Sequence, residues 1–213
     1  IHVKPQIGLT FANGLRSIVR QDPDVIMVGE IRDPETAQIA VQAALTGHLV
    51  FSTLHTNDAA GAVSRLLEMG VEDYLLASSL LGVLAQRLVR KVCVRCRQAV
   101  PAGEALLGAG DLTRSTVERF ASVAAPGANG ASIYRTGGCE ECSGTGYRGR
   151  SGIYELLMMD ESIRELILKH ASADAVKATA VAKGMRTLRD DGWLKVREGT
   201  TTVAEVLRVT QEE

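Results

Sequence analysis

Two apolar runs of strand length, Val25 to Val28 and Leu49 to Leu54, bracket a segment punctuated as a helix at both ends. Asp33 followed by Pro34 marks the start: an aspartate accepts the free N–H groups of a first helical turn, and proline suits a position whose N–H has no partner. Gly47 marks the stop. Strand, helix and strand in that order make a βαβ unit, whose strands run parallel with a right-handed crossover. This places the chain in the α/β class, and the unbroken "VIMV" predicts a strand buried on both faces.

Composition narrows the partners. The 213 residues are 46% hydrophobic and 23% charged, ordinary for a globular protein of one large or two smaller domains. A formal net charge of −1 gives no global basic footprint for nucleic acid. No apolar run approaches the ~18 residues of a membrane span. The opening "IHVKPQIG" lacks an initiator methionine and the n-region and h-region of a signal peptide, and reads as a chain cut from something longer. Four cysteines in two close pairs are not a secreted disulfide scaffold, so the expected compartment is the cytosol.

Three segments separate by composition. In residues 1–90, apolar runs alternate with helical patterns. Phe11, Leu15, Ile18 and Val19 recur at helical spacing behind Thr10 as N-cap, and Asp58 to Met69 read as a helix closed by Gly70. "VEDYLLASSLLGVLAQRLVRKV" reads as helix and then strand. Residues 91–150 hold all four cysteines, the loop-like "APGANGAS" and the Gly-rich "CSGTGYRGRSG". Residues 151–213 are expected to be mainly helical, with "DESIRELILKH" amphipathic and Thr202 spaced from Glu205 as a capping box.

In parallel sheets, ligands gather at the carboxyl ends of the strands. Glu30 falls just past "VIMV" and His55 just past "LVFSTL", so both face one crevice. An acid after an apolar strand is the Walker B pattern, in which a carboxylate holds Mg²⁺ through water or orients the attacking water. A histidine on the neighbouring strand is placed to contact a γ-phosphate. On spacing alone a capping or surface glutamate is the commoner explanation, and His48, at the opposite end of its strand, reads more simply as structural.

Cys93-Val-Arg-Cys96 and Cys139-Glu-Glu-Cys142 are two CxxC pairs, and two such pairs can close a tetrahedral thiolate site for Zn²⁺. The 97–138 interval exceeds the usual spacing of about 15 to 20 residues and reads as an insertion on the knuckles. Glycines 144, 146 and 149 suit tight turns that bring backbone N–H groups to sulfur. The competing readings are a redox pair, an iron–sulfur cluster or unpaired buried thiols; a redox pair belongs at a helix start in a βαβ setting, which neither pair has. Arg95, Arg97, Arg148 and Arg150 cluster around the knuckles in sequence and read as a solvated face, or as a docking surface for a protein or anionic lipid.

"RQDPDVIMVGEIRDPETAQIAVQAALTGHLVFSTLHTNDA" resembles, without a gap, the Walker B and histidine boxes of the secretion ATPase superfamily, which powers type II secretion and type IV pili. "AGAVSRLLEMGVEDYLLASSLLGVLAQRLVR", the CxxC pairs, "GYRGRSGIYELL" and "RDDGWLKVREGTTTVAEVLRVT" extend the resemblance over almost the whole chain. It implies the C-terminal part of a RecA-like parallel-sheet ATPase core in residues 1–90, an inserted tetracysteine zinc subdomain in 91–150 and a mainly helical subdomain in 151–213. By motif, Glu30 would be the catalytic acid and His48 and His55 the histidine-box residues, with His55 favoured for nucleotide contact by its strand end. Arg16, Arg20 and Arg32 lie near the same boxes, where an arginine could complete an intersubunit site, although solvated or salt-bridged roles are the ordinary ones.

The implied ligands are ATP and Mg²⁺, with structural Zn²⁺. The implied partners are five further copies in a cytoplasmic homo-hexamer and an assembly-platform protein at the inner face of the bacterial inner membrane, with turnover driving domain rotation and pseudopilus growth. "SSLLGVLAQRLVR" favours the type II secretion branch over the type IV pilus assembly ATPases, which share most of these motifs. The family's phosphate loop, G-x-x-x-x-G-K-[ST], does not occur in these 213 residues. That loop supplies the N–H nest and the lysine that hold phosphates, so the enzyme is expected to be the parent protein, with this chain alone inactive. A non-enzymatic zinc-ribbon module that binds nucleic acid is the alternative of another class. It needs stacking aromatics beside basic residues, and aromatics make up only 4% of the chain.

Overall fold

Asp33 begins the helix that the sequence marks. Its Oδ1 accepts the Thr36 N–H at 2.8 Å, and its Oδ2 accepts the Thr36 hydroxyl at 2.8 Å. The structure, a computed structural model, describes residues 11–107, 113–124 and 133–210; Thr10 and "APGANGAS" lie outside them. Helix α1 (Phe11–Val19) leads into strand β1 (Val25–Val28), helix α2 (Pro34–Leu45) and strand β2 (Leu49–Ser52). Helices α3 (Ala59–Glu68) and α4 (Asp73–Ser79) precede the long strand β3 (Gly82–Val92). Strand β4 (Gln98–Val100), helices α5 (Ala102–Leu107) and α6 (Arg114–Ala124) and strand β5 (Ile133–Arg135) follow. Then come a 3-10 turn (Glu140–Cys142), strand β6 (Tyr147–Met158), and helices α7 (Glu161–Leu168), α8 (Ala173–Ala182), α9 (Leu188–Arg197) and α10 (Val203–Thr210).

These elements form two packing units, each built from two chain segments: Ile1–Val83 with Leu157–Gly184, and Leu84–Leu156 with Met185–Glu213. They cut across the three compositional segments.

In the first unit β1 and β2 pair in parallel, Val25 opposite Leu49 through Val28 opposite Ser52. Helix α2 is the crossover, and α1 packs on α2. Asp58 caps α3 by accepting the Gly61 N–H at 2.8 Å. Gly47 and Gly70 take positive φ of 104° and 82° just past α2 and α3, a conformation that costs a glycine nothing. The two-sided burial expected of "VIMV" is not found. Ile26 and Val28 are buried, whereas Val25, Met27, Leu49 and Phe51 line an exposed face, because helices cover only one side of this two-stranded sheet among the described residues. Strand β2 also stops at Ser52, short of the expected Leu54.

The second unit has two small sheets, β3 with β6 and β4 with β5, the latter antiparallel. Its core gathers Phe120, Ile133, Trp193, Val196, Val203, Val206 and Leu207. Phe120 meets the Trp193 ring edge-on, with centroids 5.3 Å apart, a favoured aromatic geometry. The 97–138 interval is therefore more than an insertion riding on the knuckles, since Phe120 and Ile133 enter the core shared with α9 and α10.

Two further expectations need correction. The chain does not turn helical at 151; β6 runs to Met158, burying Ile153, Glu155 and Leu157 and exposing Tyr154, Leu156 and Met158, the two-residue period of a half-buried strand. The capping box at α10 is half made. Thr202 Oγ1 accepts the Glu205 N–H at 3.2 Å, but the Glu205 carboxylate is taken by Arg90 and Arg208.

Candidate functional site

Glu30 and His55 both leave their strands at the carboxyl end. Because β1 and β2 are parallel and in register, the loops that carry them emerge side by side. Two hydrogen bonds tie these loops together: the Thr53 hydroxyl donates to the Gly29 carbonyl at 2.6 Å, and the Ile31 N–H donates to the Thr53 carbonyl at 3.0 Å. Across this junction Arg32 Nε lies 2.6 Å from Glu30 Oε2, and His55 Nε2 lies 3.3 Å from the same oxygen.

The hydrogen bond from Arg32 is the main reason the Glu30 carboxyl sits below its ordinary value; partial desolvation opposes it, and the charge of Arg32 and the His55 contact add to it. The carboxylate is thus ionised at neutral pH. The surrounding side chains are open, His55 at 86% and Arg32 at 73% exposure. An anionic oxygen flanked by two N–H donors on parallel strand ends can hold a water or a hydrated cation, with the donors free to meet phosphate oxygens.

His48 is not part of this cluster. It precedes β2 at the opposite end of the strand, where Nδ1 lies 2.9 Å from the Ala43 carbonyl and 3.2 Å from the Thr46 hydroxyl. Its Nε2 is buried with no hydrogen-bond partner among the described residues. Arg16 is likewise engaged elsewhere, 2.7 Å from Glu35.

The four cysteines converge in the second unit. Their sulfurs all lie within 4.8 Å of one another, with Cys93–Cys139 at 3.9 Å, Cys96–Cys142 at 3.8 Å and Cys139–Cys142 at 3.7 Å. A tetrahedral site with metal–sulfur bonds of about 2.3 Å has sulfur–sulfur edges of about 3.8 Å, which these three pairs match, so the donor set fits Zn²⁺. Four protein ligands leave no open position, and the metal there would be structural.

Backbone donors are already aimed at sulfur. The Cys139 N–H reaches Cys142 Sγ at 3.3 Å and the Gly146 N–H reaches it at 3.2 Å. They bring the Cys142 thiol down to about 6, the Cys139 N–H contributing most. Desolvation, followed by the neighbouring thiols, pushes Cys96 up to about 12. The Cys142 thiolate therefore forms far more readily than that of Cys96. Gly146 also accepts the Cys93 N–H at 2.9 Å, which links the two pairs. At its φ of 74°, a Cβ would lie 2.5 Å from Thr136 Cβ, so no other residue fits this turn.

The arginines near the knuckles are not merely solvated. Arg95 and Arg148 converge on Glu141 at 3.2 and 3.1 Å. Arg97 lies over the Tyr134 ring, 4.1 Å from its centroid, and donates to the Gly199 carbonyl.

Sequence reasoning missed the buried ion cluster beside this centre. The fully buried Glu205 carboxylate accepts from Arg90 Nη2 at 2.7 Å, the Arg90 N–H at 2.9 Å and Arg208 Nη2 at 2.7 Å. Arg90 also lies over the Tyr147 ring, whose hydroxyl is 2.8 Å from Thr202 Oγ1. Burial alone would raise the Glu205 carboxyl, but hydrogen bonds from Arg208 and Arg90 outweigh it and hold it at about 2. The available signal was an acid on the apolar face of "TTVAEVLRVT", which the capping-box pattern explained away.

Comparison with known proteins shows the family to which this fold belongs. The family described as "Type II/IV secretion system protein" matches residues 1–208, and the chain belongs to it. It is 54% identical over 214 residues to "Type II secretion system protein E" of Pseudomonas aeruginosa and 52% identical over 210 residues to "Type IV pilus assembly ATPase PilB" of Thermus thermophilus. Each alignment covers 99% of this chain but only 39% and 22% of those relatives, so the chain spans well under half their length. Among solved structures, the pilus retraction motor PilT with bound ADP superposes over 95% of this chain and 44% of its own, with a TM-score of 0.62 and 26% identity. The Legionella pneumophila ATPase DotB, at 22% identity and a TM-score of 0.61, shares the fold.

Proposed function

We propose that this chain carries the acid-and-histidine half of an ATP-hydrolysing motor that powers pseudopilus assembly and protein export in type II secretion. The observation that carries the reading is the ionised Glu30 carboxylate, flanked by Arg32 and His55 at the carboxyl ends of adjacent parallel strands. In this reading Glu30 orients the attacking water, while Arg32 and His55 turn from the carboxylate to the phosphate oxygens as the nucleotide arrives. Loss of the Arg32 hydrogen bond then raises the proton affinity of Glu30 at the moment a base is needed. Mg²⁺ bound with the nucleotide would neutralise phosphate charge and help order the water. The phosphate loop belongs, in this proposal, to the part of the relatives' length that this chain does not span.

The wider proposal is a cytoplasmic homo-hexamer attached to the bacterial inner membrane through an assembly-platform protein, with anionic lipid contact on the arginine side of the knuckles and no nucleic-acid partner. Cys93, Cys96, Cys139 and Cys142 would hold one structural Zn²⁺. A type IV pilus assembly motor is the second reading, because identities of 54% and 52% to the two kinds of relative do not separate them.

The test is Glu30→Gln in the ATP-hydrolysing parent. Nucleotide affinity should stay within a few-fold while turnover falls by about 10² to 10⁴, the range for a lost acid–base group. Turnover within a factor of two of the unsubstituted protein would end the assignment.

A further inference from the structure

The loop that carries His55 is fixed at both ends, and its second anchor is distant in sequence. At its start, Thr53 is tied to the Glu30 loop by the two hydrogen bonds through Gly29 and Ile31. At its end, Asp58 divides its carboxylate between two jobs. Oδ1 accepts the Gly61 N–H at 2.8 Å and so starts α3, while Oδ2 receives Lys177 Nζ at 2.8 Å. Lys177 lies on α8, 119 residues further along the chain, and α8 packs on α3.

Several features separate this pair from an ordinary surface ion pair. Its side chains are only 24% and 23% exposed, whereas Lys183–Asp160 in the same unit is 49% and 45% exposed. Both charges are thus largely withdrawn from water, where an ion pair is screened less and holds its geometry better. The capping oxygen sits in a close fit: a Cβ on Gly61 would lie 3.0 Å from Asp58 Oδ1 and 3.9 Å from Thr56 Cβ. Thr56 Oγ1, next to His55, donates to the Asp58 carbonyl at 3.0 Å. A shift of Asp58 is therefore passed to the two residues that follow His55. The His55 ring, by contrast, is almost wholly in solvent, so its place opposite Glu30 depends on the backbone that bears it.

We infer that Lys177 is a positioning residue for the Glu30–His55 site: through Asp58 it fixes the His55 loop from α8. This rests on the functional reading above for its catalytic consequence, but not for its structural one. A segment from the C-terminal part of the chain would thereby set the geometry of a site built on the first two strands.

The structural arm is amide hydrogen exchange on this chain with Lys177→Met and Lys177→Arg. Lys177→Met should speed exchange of Gly61 and of residues 54–58 by about tenfold while leaving β1 unchanged, and Lys177→Arg should restore most of the protection. Asp58→Asn combined with Lys177→Met should be no worse than the more damaging single change, because both break one pair. The activity arm is turnover in the ATP-hydrolysing parent, where Lys177→Met should lower kcat several-fold with KM for ATP nearly unchanged.

Faster loop exchange with a lower kcat supports the inference. Faster exchange with unchanged kcat supports the anchoring and counts against the role given to His55. Unchanged loop exchange in Lys177→Met, or additive effects in the double variant, overturns the inference whatever the turnover does.

Discussion

The Glu30 cluster and the four-sulfur cluster are built in opposite ways. Around Glu30, one carboxylate oxygen is shared by two donors that are each more than two-thirds exposed, so the groups are positioned but not consumed. Around the cysteines every sulfur faces the other three, and backbone N–H groups already point at Cys142. The first arrangement leaves room for a ligand to compete for its donors. The second leaves none beyond a single metal ion. Difference in exposure thus becomes difference in role: residues of the open cluster can be replaced at little cost in stability, and residues of the closed cluster cannot.

Removing the metal should have the largest effect. Structural zinc contributes apparent folding energies of roughly 10–16 kcal/mol in small zinc-finger peptides, and a zinc bound by the four cysteines would lend some fraction of that to the knuckles. Elemental analysis of protein prepared under reducing conditions should find one zinc per chain. Chelation or Cys139→Ser should release it and speed amide exchange around 91–100 and 133–150 while β1 and β2 stay protected. Iron, or no metal, would break the comparison at its closed end.

Glu205 comes next. Its carboxylate is fully buried, but the arginines it leaves behind are about half exposed, so its loss should cost less than the roughly 3–5 kcal/mol of a pair buried on both sides. Glu205→Gln should still lower the thermal midpoint, and it should also change the acid limb. The Glu205 carboxyl is held at about 2 in the folded chain against an ordinary value of 4.5. Its contribution is therefore complete above about 4.5 and is lost as the pH falls from there towards 2. The steepness of unfolding in that window should be greater in the unsubstituted protein than in Glu205→Gln. Equal slopes would show that other carboxylates control acid unfolding.

Much of the open cluster could be read from sequence because it depends on local order. Val25 to Val28, Asp33-Pro34 and Gly47 dictate a parallel βαβ unit, and that unit alone brings Glu30 and His55 to one end. Each CxxC motif is equally local, and although the two pairs meet across 46 residues of chain, the sulfur geometry agrees with the expectation that they close one site. What could not be read depends on long-range packing. Nothing near Lys177 announces that it meets Asp58, and nothing near Arg90 announces Glu205. The strand character of residues 151–158 was hidden by the glycines before it, since alternation becomes visible only from Ile153 onward. Full burial of "VIMV" failed for a related reason: an apolar run shows which residues can be buried, but the covering layer decides which of them are.

The smallest expected stability effect belongs to the open cluster, and it carries the most weight. Thermal unfolding and ATP turnover should be measured on the same Glu30→Gln preparation of the ATP-hydrolysing parent. Glu30 is half-buried but its two partners stand in solvent, and ion pairs of that kind are worth about 1 kcal/mol or less, so the midpoint should move by no more than about 4 °C while turnover falls at least about a hundredfold. A midpoint that drops by many degrees in step with the activity would contradict the account, because Glu30 would then be holding the fold rather than acting on a substrate.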